Sequence, residues 1–272
     1  MTQRIHPTAV VHPKAQLADT VEVGPYAVVG EFVSVGARTR IGAHVVIDGW
    51  VTIGEDNLLF PGAAIGLEPQ DVSYKGAQSR VEIGDRNQIR EYVTIHRATQ
   101  ADAVTRVGSD NFLMTGVHIA HNCCIEDGVT LANTVGLGGY VHVESKVVIG
   151  GMTGVHQRVR IGQLAMVGGM SRISRDVPPF MLIEGNPARV RGLNVVGLRR
   201  SGIEANSDVL KDLKQAYQLL YRQTHISFAQ ALAQLTDHET TDAVTQLTQF
   251  LHQAQQSGRR GAISGRGRKS DD

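Results

Sequence analysis

The chain of 272 residues has only two cysteines, and these are neighbours, Cys123 and Cys124. Adjacent thiols cannot build a disulfide framework, which sets aside the small, cross-linked secreted folds. Aromatic residues make up 5 % of the chain, with a single Trp, too few for an ordinary compact α/β core. There is no run of eighteen apolar residues, and the N-terminal MTQRIHPTAV has no apolar signal segment. No transmembrane segment is therefore expected, and the expected compartment is the cytoplasm. Charge is nearly balanced at +1, which removes any global electrostatic case for nucleic acid. Glycine, by contrast, is abundant, with thirty residues, and hydrophobic content is an ordinary 42 %.

Those residues keep a six-residue beat. Of twenty-nine positions taken every sixth residue from Ile5 to Ile173, all are Ile, Leu or Val except Asp71, Ala77 and Ala101. Neither a helical period of 3.6 nor a strand period of 2 explains this spacing. A hexapeptide repeat is the signature of a parallel β-helix, so the fold class is mainly β: a left-handed parallel β-helix, a triangular prism. Each hexad is read as a short strand and a corner, with the aliphatic inward and the Gly that often follows it relaxing the corner. Three hexads make a coil of eighteen residues, and coils stack about 4.8 Å apart.

The beat breaks twice, at GLEPQDVSYKGAQSR (66–80) and at ATQADAVTR (98–106). Loops that leave a regular solenoid invite a functional reading. The His-Pro pairs at His6 and His12 are read as shaping the first coil. After Ile173 the pattern ends, and Pro178 and Pro179 fit an exit from the ladder. From Asp208 the period becomes helical: Val209, Leu213, Ala216, Tyr217 and Leu220 form one face. Ala229, Leu232, Ala233 and Leu235 form a second, and Val244, Leu247, Phe250 and Leu251 a third, with Thr240 or Thr241 as cap. The expected organisation is a β-helix over 1–186, an α-helical C-terminal domain over 187–256 covering the open end of the prism, and a disordered tail over 257–272.

The densest polar stretch is HIAHNCC, His118 to Cys124. His118 and His121 flank an inward Ile119 and are expected to point outward, exposed. The eighteen-residue coil stacks His121 over Gly139 and Gln157, and His118 over Gly136 and Gly154, so bare backbone should lie beside two histidines. Such a groove suits a narrow, extended substrate: a neutral imidazole can take a hydroxyl proton, and a Gly139 amide can face an oxyanion. The competing reading is a zinc site of the γ-carbonic anhydrase type, but no carboxylate stands in this stretch and no metal is expected. A non-catalytic scaffold is the third reading. Arg158, Arg160, Arg172, Arg175, Arg189, Arg191, Arg199 and Arg200 gather toward the C-terminal end of the prism and suit an acidic partner.

The stretches VEIGDRNQIREYVTIHRAT, VGSDN, HIAH, IGGMTGVHQ, MVGG, DVPPF and GLNVVGLRRSG resemble those of the bacterial UDP-N-acetylglucosamine O-acyltransferases, which act first in lipid A synthesis. The resemblance runs from the first hexad to the C-terminal helices. It implies a homotrimer that moves an acyl group, commonly 3-hydroxylated, from acyl carrier protein to the sugar 3-hydroxyl. No cofactor is implied beyond the carrier's phosphopantetheine thioester. His121 would be the general base and Gly139 the oxyanion donor. Gln70, Asp71, His118, His156, Gln157, Asn194 and Arg200 would bind substrate, and Gly169, with Met166 and Gly151, would measure the acyl chain. Departures from the family pattern fall at Asn122, Tyr140, Ser73, Val196 and Ser201; Lys75 could stand in for the loop Lys missing at Ser73. A later enzyme of the pathway, an N-acyltransferase acting on a 3-amino sugar, is the nearest rival; it usually carries an N-terminal uridine-binding domain, whereas this chain enters the repeat by Ile5.

Overall fold

In a computed structural model, residues 4–223, 225–236 and 241–265 are described. Two- to four-residue strands lie in three parallel sheets, the faces of a prism, here called A, B and C in the order the chain first visits them. The register is one coil of eighteen residues: Ile5 pairs with Val23, Val11 with Val29 and Leu17 with Val35. At Arg80 the ladder steps back thirty residues to Trp50 and forward twenty-four to Val104. Both insertions are therefore whole hexads, which is why the beat stays in frame across them.

The aliphatic stops form the core. Ile47, Ile65, Ile89, Ile95, Leu113, Ile119, Leu131 and Ile149 are fully buried, each stacked on its like in the coils above and below. Truncating one to Ala would cost about 2–5 kcal/mol, because neighbouring coils cannot collapse into the gap. Among the described residues none stacks above the first coil, and Ile5 stays 40 % exposed.

The corners are built differently from the sequence expectation. At most corners the residue in the left-handed region is the third after the stop, and it is seldom glycine: Asp56, Asn122 and Tyr140 have φ of +56°, +60° and +61°. Except at Gly66, where the first excursion leaves the prism with φ +83°, the Gly right after the stop stays out of the left-handed region and serves close approach instead. A Cβ on Gly36 would lie 2.7 Å from the Gly54 carbonyl carbon, and one on Gly138 would lie 2.8 Å from the Gln157 nitrogen.

The last coils are closed by Val177, Phe180 and Met181, all buried. An antiparallel hairpin, Met181–Gly185 with Ala188–Leu193, extends face A beyond the prism. The expected boundary at 186/187 falls inside this hairpin, so prism and C-terminal unit share a sheet. Helix α1 (Val195–Arg200), α2 (Asp208–Tyr217), a π-helical turn (Gln218–Arg222), α3 (Phe228–Thr236) and α4 (Asp242–Ala254) follow. Leu210, Leu213, Ala216 and Leu220 are buried, as are Val244, Leu247, Phe250 and Leu251. In α3 the buried pair is Ala231 and Leu232, while Ala229 and Ala233 are exposed: the helix is turned from the expected face. Thr241 precedes α4 without a side-chain cap bond, and Thr240 lies outside the described residues. Helix α4 meets the prism where Gln246 Nε2 donates to Gln163 Oε1 at 2.8 Å and Arg160 lies over the Phe250 ring.

The tail is ordered as far as residue 265, against the expectation of disorder from 257. Ala262 bridges to Asp176 and Gly265 to Val190, and Ile263 is buried. Asp176, 3 % exposed, holds it through Arg259 at 2.8 Å. Residues 266–272 lie outside the described ones.

Candidate active site

Both excursions leave the prism at one corner, between faces B and C. The first runs from Ile65 to Arg80, and the second from Ile95 to Val104. His121, Gly139 and Gln157 turn the same corner in the following coils, since the strands ending at Ile119, Leu137 and Val155 all belong to face B. Stacking thus puts two loops and a histidine on one edge.

His121 is only 8 % exposed, not the exposed side chain expected. The first excursion and the next coil account for this: Asp71, from the excursion, places Oδ2 3.8 Å from His121 Nε2, and the Tyr140 ring, from the coil, stands edge-on at 5.4 Å. The ring lies over the backbone of Gly139, where an added Cβ would come within 2.5 Å of Nε2. Only glycine fits beneath it. Among the described residues the Gly139 amide donates no backbone hydrogen bond, whereas the flanking amides of Gly138 and Tyr140 go to Val155 and His121 carbonyls. An imidazole and a residue with an unspent amide therefore meet at Gly139.

The tautomer of His121 follows from its neighbours. Thr99 N donates to Asn122 Oδ1 at 3.1 Å, which fixes that atom as the oxygen. Asn122 Nδ2 in turn donates to Gln100 Oε1. The same Oδ1 lies 2.9 Å from His121 Nδ1, so Nδ1 carries the hydrogen and Nε2 keeps its lone pair. Asn122 thereby orients the ring without a charge. Gln100 Nε2 also donates to the Tyr140 hydroxyl, and Arg158 lies over the Tyr140 ring at 4.4 Å. Two family departures, Asn122 and Tyr140, belong to one network that also uses Thr99 and Gln100. The sequence reading missed those two; their place in the second excursion was the available signal.

Ser73, a third departure, holds Asp71: its amide and hydroxyl both donate to Oδ1, at 2.8 and 2.7 Å. These bonds lower the Asp71 carboxyl from its ordinary value, with a further contribution from His121. The loop is pinned by Arg97, also missed in the sequence, which is buried and reaches Gly66 O, Glu68 and the Tyr74 hydroxyl. Gln70 and Lys75 are exposed on the same loop.

On face B the outward column reads Thr94, His118, Gly136, Gly154, Arg172, as strand pairing requires. Nothing lies within 4 Å of a Cβ built on Gly136 or Gly154, so the strip is open. His118, half-buried, contacts Thr94 Oγ1 through Nδ1 at 2.8 Å and meets His96 edge-on at 5.2 Å. Burial, then the nearby His121, holds the His118 imidazole below its usual value. Burial lowers His96 to about 4, with help from His118, His121 and Arg97. Across face B, at its corner with A, Gly169 stacks on Gly151, whose carbonyl lies 3.2 Å from a built Cβ. His156 and Gln157 turn the B/C corner below Gly139, with Gln157 exposed.

Asn194, Arg200 and Met166 are elsewhere on the chain. They line a hollow of about 700 Å³ on face A and its corner with C, with Val148, Leu193, Val196 and Ser201 among its walls. Asn194 caps α1 through Gly197 N and donates to Leu164 O. The predicted site residues thus fall in two groups on different faces of one chain. Among the described residues, no group of three His, Cys, Asp or Glu side chains is arranged to hold a metal. No described helix is long and apolar enough to cross a membrane.

A family model described as UDP-N-acetylglucosamine O-acyltransferase, domain 2, matches residues 176–263, and one for the bacterial transferase hexapeptide repeat matches 14–49. A protein of Rippkaea orientalis named acyl-[acyl-carrier-protein]–UDP-N-acetylglucosamine O-acyltransferase is 58 % identical over 98 % of this chain and 96 % of its own length. One of the same name from Gloeothece citriformis is 54 % identical over 82 % of this chain and 80 % of its own. Among solved structures, the UDP-N-acetylglucosamine O-acyltransferase of Moraxella catarrhalis matches with TM-score 0.87 and 41 % identity, covering 95 % of this chain and 99 % of that one. The Francisella novicida UDP-N-acetylglucosamine acyltransferase matches with TM-score 0.90 and 34 % identity, covering 97 % and 95 %.

Proposed function

The chain belongs to the acyl-[acyl-carrier-protein]–UDP-N-acetylglucosamine O-acyltransferases, left-handed β-helix enzymes of lipid A synthesis, and we propose that His121 and Gly139 perform its reaction at a site completed by a second copy of the chain. The sugar 3-hydroxyl, lying between His121 Nε2 and the Asp71 carboxylate, gives its proton to Nε2 as its oxygen attacks the thioester carbon. The Gly139 amide donates to the tetrahedral oxyanion. The intermediate collapses, the C–S bond breaks, and the imidazolium returns the proton to the departing pantetheine thiolate. The products are the 3-O-acyl sugar and the free carrier thiol; the chemistry asks for no group beyond the thioester.

The observation that carries this reading is the locked ring. With Nδ1 carrying the hydrogen, Nε2 keeps its lone pair, has no donor among the described residues, and lies over Gly139, whose amide is also unused there. Asp71 at 3.8 Å is too far for a hydrogen bond but near enough to favour the imidazolium as it forms.

The second copy is argued from the divided site. Asn194 and Arg200 match nucleotide-contacting positions yet sit on face A, away from the His121 corner. A neighbouring prism can bring its face-A hollow to that corner, and threefold symmetry closes such a head-to-tail contact into a homotrimer. Gln70, His118, His156 and Gln157 would then line the sugar and donor path, and Gly169, Gly151 and Met166 the acyl path. The proposed location is the cytoplasm, where acyl carrier protein supplies the donor.

The test is purified protein with acyl carrier thioesters of several lengths and both UDP-N-acetylglucosamine and its 3-amino counterpart, products read by mass. Ester formation on the 3-hydroxyl sugar is expected. Amide formation on the amino sugar alone, or no transfer, would overturn the reading.

A further inference from the structure

The glycine strip ends at Arg172, and beyond it lies a hollow of about 290 Å³ walled by Arg172, Ser174, Arg175, Arg189 and Ile263. Arg172 and Arg175 form no ion pair or side-chain hydrogen bond among the described residues, and Arg189 reaches only Ser264 Oγ, at 3.4 Å. Several exposed arginines elsewhere on this prism are matched: Arg38 with Asp56, Arg86 with Asp110, Arg106 with Glu82. Three unmatched guanidinium groups converging on one concavity repel one another unless an anion joins them.

The C-terminal segment builds the fourth side. Ile263 N donates to Asp176 O at 2.8 Å and Val190 N to Ser264 O at 3.0 Å, which fixes the strap across the base of the prism. The buried Asp176 carboxylate takes up Arg259, so that positive charge is spent. Arg260 remains, and its Nη2 lies 3.4 Å from His156 Nε2, beside the corner that carries the site.

We propose that this hollow is an anion site, completed by the chain's own C-terminal strap, that takes the phosphate of the donor's pantetheine arm. The proposal rests on the reading of His121 and Gly139 given above. From His118 the column passes Gly136 and Gly154 to Arg172, three strand spacings or about 14 Å. That path is bare, narrow and open, as an extended arm of two amides and their linkers requires. A thioester at Gly139 would leave the arm's phosphate at its arginine end. The nucleotide diphosphate is the other phosphate in the reaction, but its matching residues line the hollow on face A.

The experiment compares two donors carrying the same acyl group, the 4′-phosphopantetheine thioester and the pantetheine thioester without the phosphate. Charged hydrogen bonds of this kind are worth roughly ten- to a hundredfold in affinity, so the wild-type protein should show that ratio in KM. In the Arg172→Ala/Arg175→Ala variant the ratio should fall toward one, with the KM for the UDP-sugar unchanged. Arg260→Ala, which touches no core residue, should lower the same ratio by a smaller factor and guards against a folding artefact. An undiminished ratio in both variants overturns the proposal. So does a rise in UDP-sugar KM with the donor ratio intact, which would assign the hollow to the nucleotide. Absence of transfer from any donor in the wild-type protein would instead overturn the His121 reading, and this one with it.

Discussion

Two corners of the same prism bury polar side chains for opposite ends. At the corner between faces C and A, Asn57, Asn87 and Asn111 are 0–1 % exposed and form a ladder. Asn57 Oδ1 accepts from Asn87 N, Asn87 Oδ1 from Asn111 N, and Asn111 Oδ1 from Val129 N, at 2.9, 2.9 and 2.7 Å. Asn57 and Asn87 also donate to the Gly84 and Gly108 carbonyls. Within this ladder the prism satisfies itself except at Asn111 Nδ2, which finds no partner among the described residues. At the corner between B and C, Thr105 serves the prism in this way, its hydroxyl accepting from Asn122 N. There His121 and Asn122 take their partners from the excursions, and Nε2 and the Gly139 amide are left for something else. Buried polarity that is nearly all spent on neighbouring coils stabilises a solenoid; buried polarity left half spent, under a loop, is where chemistry can happen.

The contrast can be broken from either side. His121→Ala should lower transfer by about 10²- to 10⁴-fold, the usual contribution of a general base, while leaving thermal unfolding unchanged. Asn87→Ala should do the reverse. It orphans the Asn111 amide and the Gly108 carbonyl, costing about 2–4 kcal/mol in denaturant titration, with turnover per folded molecule retained. Gly139→Ala forces the His121 ring off its seat; a loss on the order of a hundredfold in kcat is expected, with only a small change in melting temperature.

The smallest effect concerns pH. His96 is held near 4 against an ordinary 6.5, so the folded chain refuses a proton that the unfolded chain accepts. Its share of stability is complete above about pH 6.5 and is lost as pH falls toward 4. His96→Gln should flatten the melting temperature between pH 4.5 and 6.5 relative to the parent; an identical slope would show that another group governs it.

The repeat was legible because its period is set by geometry that every coil must obey: one inward aliphatic per side, from Val11 to Ile173. The stacking of His121, Gly139 and Gln157 followed from the same arithmetic. The loops were not legible. Nothing in ATQADAV announces that Thr99 orients Asn122, or that Arg97 pins the strand of chain bearing Asp71, because such contacts join residues whose separation no period fixes. For the same reason His121 was expected in the open and is roofed instead. The Gly after each stop was assigned to torsional freedom, when what it supplies is the absence of a Cβ between coils. The ordered strap at 259–265 also escaped, since polar, glycine-rich composition hides a segment held by one buried carboxylate, Asp176.

The central claim is that the corner bearing His121 and the hollow bearing Arg200 act together only across copies. Equal co-expression of His121→Ala and Arg200→Ala chains tests it directly. Random assembly into trimers leaves roughly a quarter of the sites with both halves intact, and the account predicts that share of wild-type transfer from two nearly inactive parents. A mixture no more active than the sum of its parents would contradict it.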